Sequence, residues 1–330
     1  MSADRNRSLR TWFNGISNIL APLTSLIAVT IFLSIVEKDQ KFLTPDNWKN
    51  ICESIAVFAI LAVGETAVII TGGIDLSVGR ILALCAVVSS SAMAFHGATI
   101  GTAILISCGV GLACGLTNGA LVAWGKMPPF IATLGMMGIA NGLALLVSGG
   151  TNISQIASGF SKFSQGELFG SENVQGIPYP LIILMVVALI GHILLSRTSW
   201  GRKLYAVGGN KDAARLSGIK LNWTTITVYS FAGLLAGFAA VLHVSRTGGG
   251  QPTAGQNFEL QAIAATVIGG TSLAGGSGNI LGTMIGAFLM AVIQNGCDLK
   301  GIEQHYQLII IGLVVWLASM YDGLRRKARG

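Results

Sequence analysis

The chain has 330 residues, of which 52% are apolar and only 11% charged, against roughly 25% charged in a soluble domain. With a mean hydropathy of +0.67, that balance excludes a soluble enzyme and marks a protein built to sit in a bilayer. The formal charge of +7 is no nucleic-acid footprint, because the basic residues lie in loops and tails between apolar runs and aromatics are too few for a base-stacking platform.

Arg5, Arg7 and Arg10 lead into an apolar run from Ile19 to Val36. It is 18 residues long and no small-residue cleavage site follows, so it is expected to stay as a first span. A helix crossing the hydrocarbon core needs roughly 20 apolar residues. Further candidate spans follow at about 51–71, 80–96, 98–124, 130–148, 179–195, 223–244, 258–272, 279–297 and 306–321. The expected fold is an all-α integral membrane protein with about ten transmembrane helices. The third, sixth, eighth and tenth runs are short enough to be tilted, broken or partly re-entrant.

Charge orients these spans. With the N-terminus inside, the cytoplasmic segments collect Arg5, Arg7, Arg10, Arg80, Lys126, Arg197, Arg202, Lys203, Lys211, Arg215, Lys220, Arg325, Arg326, Lys327 and Arg329. Only Lys38, Lys41, Lys49, Lys162, Arg246 and Lys300 fall outside, the first of them beside Glu37 and Asp39. The asymmetry predicts both termini in the cytoplasm. Residues 1–330 thus read as one membrane domain, with a cytoplasmic segment 1–18, a basic cytoplasmic loop 196–222 and a cytoplasmic tail 322–330. The outer loop 149–178 is long and polar, with Asn152, Gln155, Glu167 and Glu172.

Glycine is abundant, at 44 residues. Gly109, Gly111, Gly115 and Gly119 in the fourth span read as close helix packing, since four-residue spacing puts small residues on one face. Two clusters are different: Thr71 to Gly79 (TGGIDLSVG) and Gly269 to Gly278 (GGTSLAGGSG) interrupt apolar stretches and leave backbone groups outside helical bonding. Irregular backbone survives at membrane depth only inside protein or beside a watery cavity, and broken helices often mark a transport pathway. The candidate pathway residues are therefore Glu65, Gly72, Gly73, Asp75, Ser77, Gly79, Gly269, Gly270, Thr271 and Ser272. Aligning Gly72, Gly73, Leu76 and Gly79 with Gly269, Gly270, Leu273 and Gly276 suggests a repeat; two independent glycine turns explain the same match. Asp75 reads either as a pathway group or as a turn carboxylate accepting backbone N–H bonds. Glu65 reads either as a pathway contact or as an interhelical hydrogen-bond group.

Five cysteines, Cys52, Cys85, Cys108, Cys114 and Cys297, lie in or beside apolar runs without metal-ligand spacing and read as small packing groups. There is no G-x-x-x-x-G-K-[ST] phosphate loop; Gly125-Lys126 is followed by Met127-Pro128. His96, His192, His243 and His305 form no motif. No enzyme activity, cofactor or metal is expected, and any ATP that transport needs must be bound by another subunit.

GGIDLSVG at 72–79 resembles the hallmark of permease subunits of the ribose-type ABC sugar importers (carbohydrate uptake family 2). PPFIATLG at 128–135, GGN at 208–210, ARLSGI at 214–219, QPTAG at 251–255, AIAA at 262–265 and VIGGTSLAGG at 267–276 follow in the family's order. The resemblance runs from about residue 40 to the C-terminus. It implies a ten-span permease of a bacterial inner membrane that pairs with a second copy or a related permease. It also implies a separate ATPase subunit and an extracytoplasmic sugar-binding protein. Within the basic loop it implies an ATPase-coupling segment carrying Gly209, Asn210, Ala213, Ala214, Arg215 and Gly218, with Ala213 and Ala214 as small knobs and Gly218 as the helix stop. Read without the resemblance, the same stretch is a solvated loop. The chain departs from the family at Glu65, where Met or Gln is frequent, at Asn141, where Arg is frequent, and at Asn257, where Gly is common. The rival reading is an ion- or proton-coupled secondary transporter using Glu65 and Asp75.

Overall fold

The computed structural model describes residues 20, 22–37, 41–154, 156–170 and 176–327, with side chains unassigned at 318 and 321–327. Arg5, Arg7, Arg10, Lys38, Asp39, Gln155, Glu172, Arg329 and the start of the first expected span lie outside the described residues, as do the side chains of Arg325, Arg326 and Lys327.

The chain folds into helices α1 (Pro22–Val36), α2 (Pro45–Ile70), α3 (Val78–His96), α4 (Ile100–Ala123) and α5 (Pro129–Ser148). A short α6 (Lys162–Gln165) and a hairpin of β1 (Glu167–Leu168) and β2 (Ile177–Pro178) follow. Then come α7 (Tyr179–Arg197), α8 (Ser199–Gly209), α9 (Lys211–Leu216), α10 (Leu221–Thr247), α11 (Phe258–Ile268), α12 (Ile280–Leu299) and α13 (Gln304–Lys327). Seven of these, α2, α3, α4, α5, α7, α10 and α12, are long and apolar enough to cross a membrane. The described residues contain three shorter apolar helices at Pro22–Val36, Phe258–Ile268 and Gln304–Leu317. The seven full-length helices fall short of the expected count of about ten: the runs at 19–36, 258–272 and 306–321 correspond to the three shorter apolar helices. The eighth run, read as 258–272, is helical only to Ile268, because the backbone turns off at Gly269.

α2 is the axis of the bundle. It is buried along most of its length and packs against α7, α10, α11 and α12. Its start is set by Pro45 in the first turn, where the missing N–H costs nothing, and by Thr44, whose hydroxyl accepts from Asn47 N–H. α4 and α10 cross by backbone contact. A methyl placed on Gly115 would meet Tyr229 O at 2.3 Å, and one on Gly111 would meet Gly233 O at 2.2 Å. Gly119 meets Ile226 in the same way, while Gly109 faces open space and belongs to another side of α4. Apolar side chains point outward on the rest of the surface, for instance Leu105 on α4, Ile139 on α5, Leu189 on α7 and Leu313 on α13. Such a girdle suits lipid, where only internally bonded helices survive.

The bundle has two distinct ends. At one, the start of α2 meets the ends of α10 and α12: Arg246 Nη2 donates to Ser54 Oγ at 2.8 Å, and Asn47 and Asn295 exchange amide bonds of 2.9 and 2.8 Å. The loop 149–178 is folded onto this end. Ile153 and Gly250 form a β-bridge, Ser245 Oγ donates to Phe160 O at 2.7 Å, and Lys49 pairs with Glu167. The other end holds the finish of α2, the segments 71–77 and 269–279, and α8 and α9.

Candidate translocation site

Both glycine clusters begin as the same helix stop. At the end of α2, Gly72 has φ +78, Gly72 N–H donates to Ile69 O at 2.8 Å and Gly73 N–H to Val68 O at 3.2 Å. At the end of α11, Gly270 has φ +89, Gly270 N–H donates to Val267 O at 2.9 Å and Thr271 N–H to Thr266 O at 3.1 Å. Each is the paired back-bonding of a Schellman cap, which requires a left-handed residue and so selects glycine. The equivalence runs Thr71 to Gly269, Gly72 to Gly270 and Gly73 to Thr271. It is one residue out of step with the sequence alignment of Gly72 to Gly269, so that alignment is corrected. The alignment followed glycine identity, whereas the shared cap geometry pairs Gly72 with Gly270, a match that two independent glycine-ended helices also give.

The two stops meet. A Schellman cap leaves the last helical carbonyl unbonded, and at α2 that group, Ile70 O, accepts from Gly276 N–H at 2.8 Å. Gly208 of α8 closes the junction: a methyl on it would fall 1.8 Å from Ile70 O and 2.5 Å from Gly276 N. Tyr205 on α8 donates its hydroxyl to Gly278 O at 2.8 Å. The basic loop is thus clamped to both broken segments at once.

From this junction segment 71–77 folds back into the bundle. Asp75 Oδ1 accepts from Ser77 N–H at 2.8 Å and from Ser77 Oγ at 2.5 Å, an Asx turn leading into α3. Glu65 Oε1 accepts from Asp75 N–H at 3.1 Å, Asn118 Nδ2 donates to Ser77 Oγ at 2.9 Å, and Thr133 of the PPFIATLG string donates to Ile74 O at 3.3 Å. Gly73 lies against Tyr229, where a methyl would meet the phenol oxygen at 2.5 Å. Glu65, Asp75 and Ser77 are fully buried. Glu65 Oε2, Asp75 Oδ2, Asn118 Oδ1 and Tyr229 Oη have no hydrogen-bond partner among the described residues. Asp75 makes the contacts of a turn carboxylate, and Glu65 accepts from the backbone of that turn rather than from another helix.

Segment 249–257 is a second non-helical run folded against the bundle. A methyl on Gly250 would meet Ala86 O, and one on Gly255 would meet Gly79 O, so the chain passes along α3 from its middle to its start before α11 begins. Gly79 in turn leaves room for Gly255 and the Glu259 carboxylate. Asn257 has φ +66, a left-handed conformation that suits glycine and that asparagine tolerates better than most other residues. Thr271 and Ser272 are buried beside the junction, and Gly278 packs on Thr271.

Sequence reasoning missed a hydroxyl cluster between the two ends. Thr66 Oγ1 lies 2.8 Å from Thr283 Oγ1 and 3.4 Å from Thr266 Oγ1, joining α2, α12 and α11. Threonine in an apolar run carries little hydropathy signal; the adjacency of Thr66 to Glu65 was the one available hint. A polar cleft beyond that cluster, at the end where α2 starts, was missed as well.

In the basic loop, Asn210 caps α9 by accepting Ala213 N–H at 2.9 Å, and Gly218, at φ +82, ends it. Arg215 pairs with Asp212 at 2.8 Å on the exposed side. Ala213 and Gly209 are exposed, but Ala214 is only 3% exposed, so the expectation of two exposed knobs is corrected to one. Successive helical residues lie about 100° apart, and α9 turns Ala214 toward the bundle. The missed surface group is Leu216, which is 88% exposed.

The family described as branched-chain amino acid transport system / permease component matches residues 47–319. Ribose import permease proteins are similar over nearly the whole length: that of Bacillus subtilis (strain 168) is 41% identical over 313 residues, 95% of each chain. That of Escherichia coli (strain K12) is 42% identical over 306 residues, 92% of this chain and 94% of the other. The D-allose transport system permease protein of Escherichia coli (strain K12) is 37% identical over 306 residues, 91% of this chain and 90% of the other. No solved structure matches the chain.

Proposed function

The chain belongs to the branched-chain amino acid transport system / permease component family, and from that premise we propose that it is the membrane-spanning permease of an ABC importer for a monosaccharide or similar small polyol. Relatives that match over more than nine-tenths of this chain are named for ribose, allose and xylose transport, which favours a sugar over an amino acid. The protein is a multi-pass membrane protein with an inner-membrane location. Both termini face the cytoplasm in this reading, on the strength of the Lys and Arg distribution, so the α8–α9 end is cytoplasmic and the start of α2 faces outward.

The observation that carries the proposal is the junction of Ile70, Gly276 and Gly208. A separate ATPase engages α9 through Ala213, Arg215 and Leu216, with Gly209, Asn210 and Gly218 shaping the segment and Ala214 anchoring it. Movement of α8 is transmitted at Gly208 to both broken segments. The turn at Gly72, Gly73, Asp75, Ser77 and Gly79, held by Glu65, and the segment Gly269, Gly270, Thr271 and Ser272 then shift together and open the pathway inward. A binding protein delivers sugar at the outer end, over loop 149–178 and the segment after α10. A second permease copy or a related permease completes the translocating unit.

Proteoliposomes containing the permease, its ATPase and its binding protein test this. Sugar uptake that requires internal ATP and loaded binding protein is the expected result. Uptake driven by a proton or sodium gradient without the ATPase overturns it.

A further inference from the structure

On the end where α2 starts, α2, α10, α11 and α12 part around a cleft of about 240 Å³. That lies a little below the roughly 300–1,000 Å³ of sites for drug-sized ligands. Its polar lining is Ser54, Arg246, Gln261, Gln294, Asn295 and Asp298. Phe58 and Phe258, with ring centres 6.5 Å apart, supply an apolar wall.

The polar groups are arranged by depth. Arg246 and Asp298 stand exposed at the rim, and each is already engaged: Arg246 by Ser54 at 2.8 Å, Asp298 by Gln307 Nε2 at 2.7 Å. Asn295 is fixed by its amide exchange with Asn47. Gln261, in the second turn of α11, is 6% exposed, and its Oε1 has no hydrogen-bond partner among the described residues. A buried amide oxygen without a partner costs about 1–3 kcal/mol unless something occupies it. The most buried polar residue of the lining therefore carries an unsatisfied neutral acceptor.

We infer that this cleft is a transient monosaccharide site on the outward half of the permease, with Gln261 Oε1 accepting a sugar hydroxyl at its base. Sugar hydroxyls both donate and accept, so one ligand can serve the Gln261 oxygen, the side chains of Gln294 and Asn295, and the Arg246 guanidinium. The ring's C–H faces lie toward Phe58 and Phe258. A zwitterionic amino acid would instead demand free charges at depth, where only a neutral amide is found. The site lies two turns before Glu65 on α2 and two turns before Gly269 on α11. Both helices that form its floor therefore end at the broken segments. The inference rests on the sugar-permease reading and adds a site to it.

The test is saturation-transfer NMR on the full chain in lipid nanodiscs, with D-ribose, D-allose, D-xylose and L-leucine at millimolar concentration. Transfer to at least one sugar, and none to leucine, is expected. Gln261→Met, of similar volume, and Ala291→Phe, which fills the cleft, should each weaken sugar transfer about tenfold in samples that melt as the wild type does; Gln261→Asn serves where either variant misfolds. No sugar signal from the wild type, an undiminished signal in the well-folded variants, or a leucine signal lost with Gln261 overturns the inference. The sample contains no ATPase, so such a failure leaves the importer reading standing. That reading falls separately, if the complete reconstituted system takes up no sugar.

Discussion

Gly208 lies so close to Ile70 that a single added methyl would sit 1.8 Å from the Ile70 carbonyl oxygen. The partner surface is backbone, which cannot rotate away. Gly208→Ala should therefore destabilise the protein by about 1–3 kcal/mol, the usual cost of overpacking, and uptake should fall with it. Gly209 faces open space, so Gly209→Ala should melt as the wild type does. Melting in detergent with reconstituted uptake checks both, and equal behaviour of the two variants would remove Gly208 from the junction.

Asp75 holds a turn, and an amide can hold most of it. Asp75→Asn keeps an oxygen for Ser77 N–H and should fold and transport within a few-fold of wild type. Asp75→Ala leaves Ser77 N–H without its acceptor and should cost about 1–3 kcal/mol. Assembly and transport should then be lost together. A folded Asp75→Ala protein that fails to transport would mark the carboxylate as a pathway group.

For ATPase coupling, the informative positions are the exposed ones. Ala213→Arg and Leu216→Asp should leave melting unchanged and reduce ATPase co-purification by tenfold or more. Ala214→Arg drives a charge into a buried position and should destabilise α9 itself. Wild-type co-purification with Leu216→Asp would take the α9 surface out of the interface.

The Lys49 ammonium and the Gly176 N–H, which donates at 2.8 Å, hold the Glu167 carboxyl below the usual carboxylate range. A carboxyl of lowered pKa lends stability above its unfolded value, near 4, and loses it as pH falls through the lowered one. The hairpin of loop 149–178 should thus stay anchored to α2 at neutral pH and loosen in acid below pH 4. Hydrogen exchange of that loop between pH 7 and pH 3, corrected for intrinsic rates, measures this. Glu167→Gln should show the acid-like exchange already at neutral pH.

Close backbone crossing predicts a further asymmetry in α4. Gly115→Leu would force α4 off α10 and should abolish stable expression, while Gly109→Leu, facing open space, should be tolerated. Detergent-extracted yield distinguishes them.

Much of this was legible in the sequence. Apolar runs located the long helices because lipid rewards uninterrupted hydrophobicity, and the Gly111, Gly115 and Gly119 face was readable from spacing alone. The glycine cluster from Gly269 marked the break after α11, but hydropathy, which Gly269 to Ser272 lowers only slightly, carried the expected span on to 272. The meeting of Ile70, Gly208 and Gly276 was invisible, since it is made of backbone atoms and no residue type encodes it. The cleft was hidden for another reason: Ser54, Gln261 and the adjacent Gln294 and Asn295 are scattered over three apolar runs. Only the spacing of Gln294 and Asn295 from Asp298, four and three residues, placed part of it on one helix face.

The shortness of α11 also bears on how the protein is made. Eleven helical residues rise about 16 Å, roughly half the hydrocarbon thickness, and the eight-residue approach from Gly250 to Asn257 is not helical. A ribosome-bound insertion machine that admits segments one by one on hydrophobic length should not release α11 into lipid on its own. It has to wait at the machine, or in water, until α12 emerges and the α3 flank is in place to receive the extended approach. Nascent chains stopped just after residue 279 should leave α11 uninserted, and chains extended through Leu299 should not, a difference that glycosylation mapping can read. The same break therefore makes α11 and α12 a single unit of synthesis.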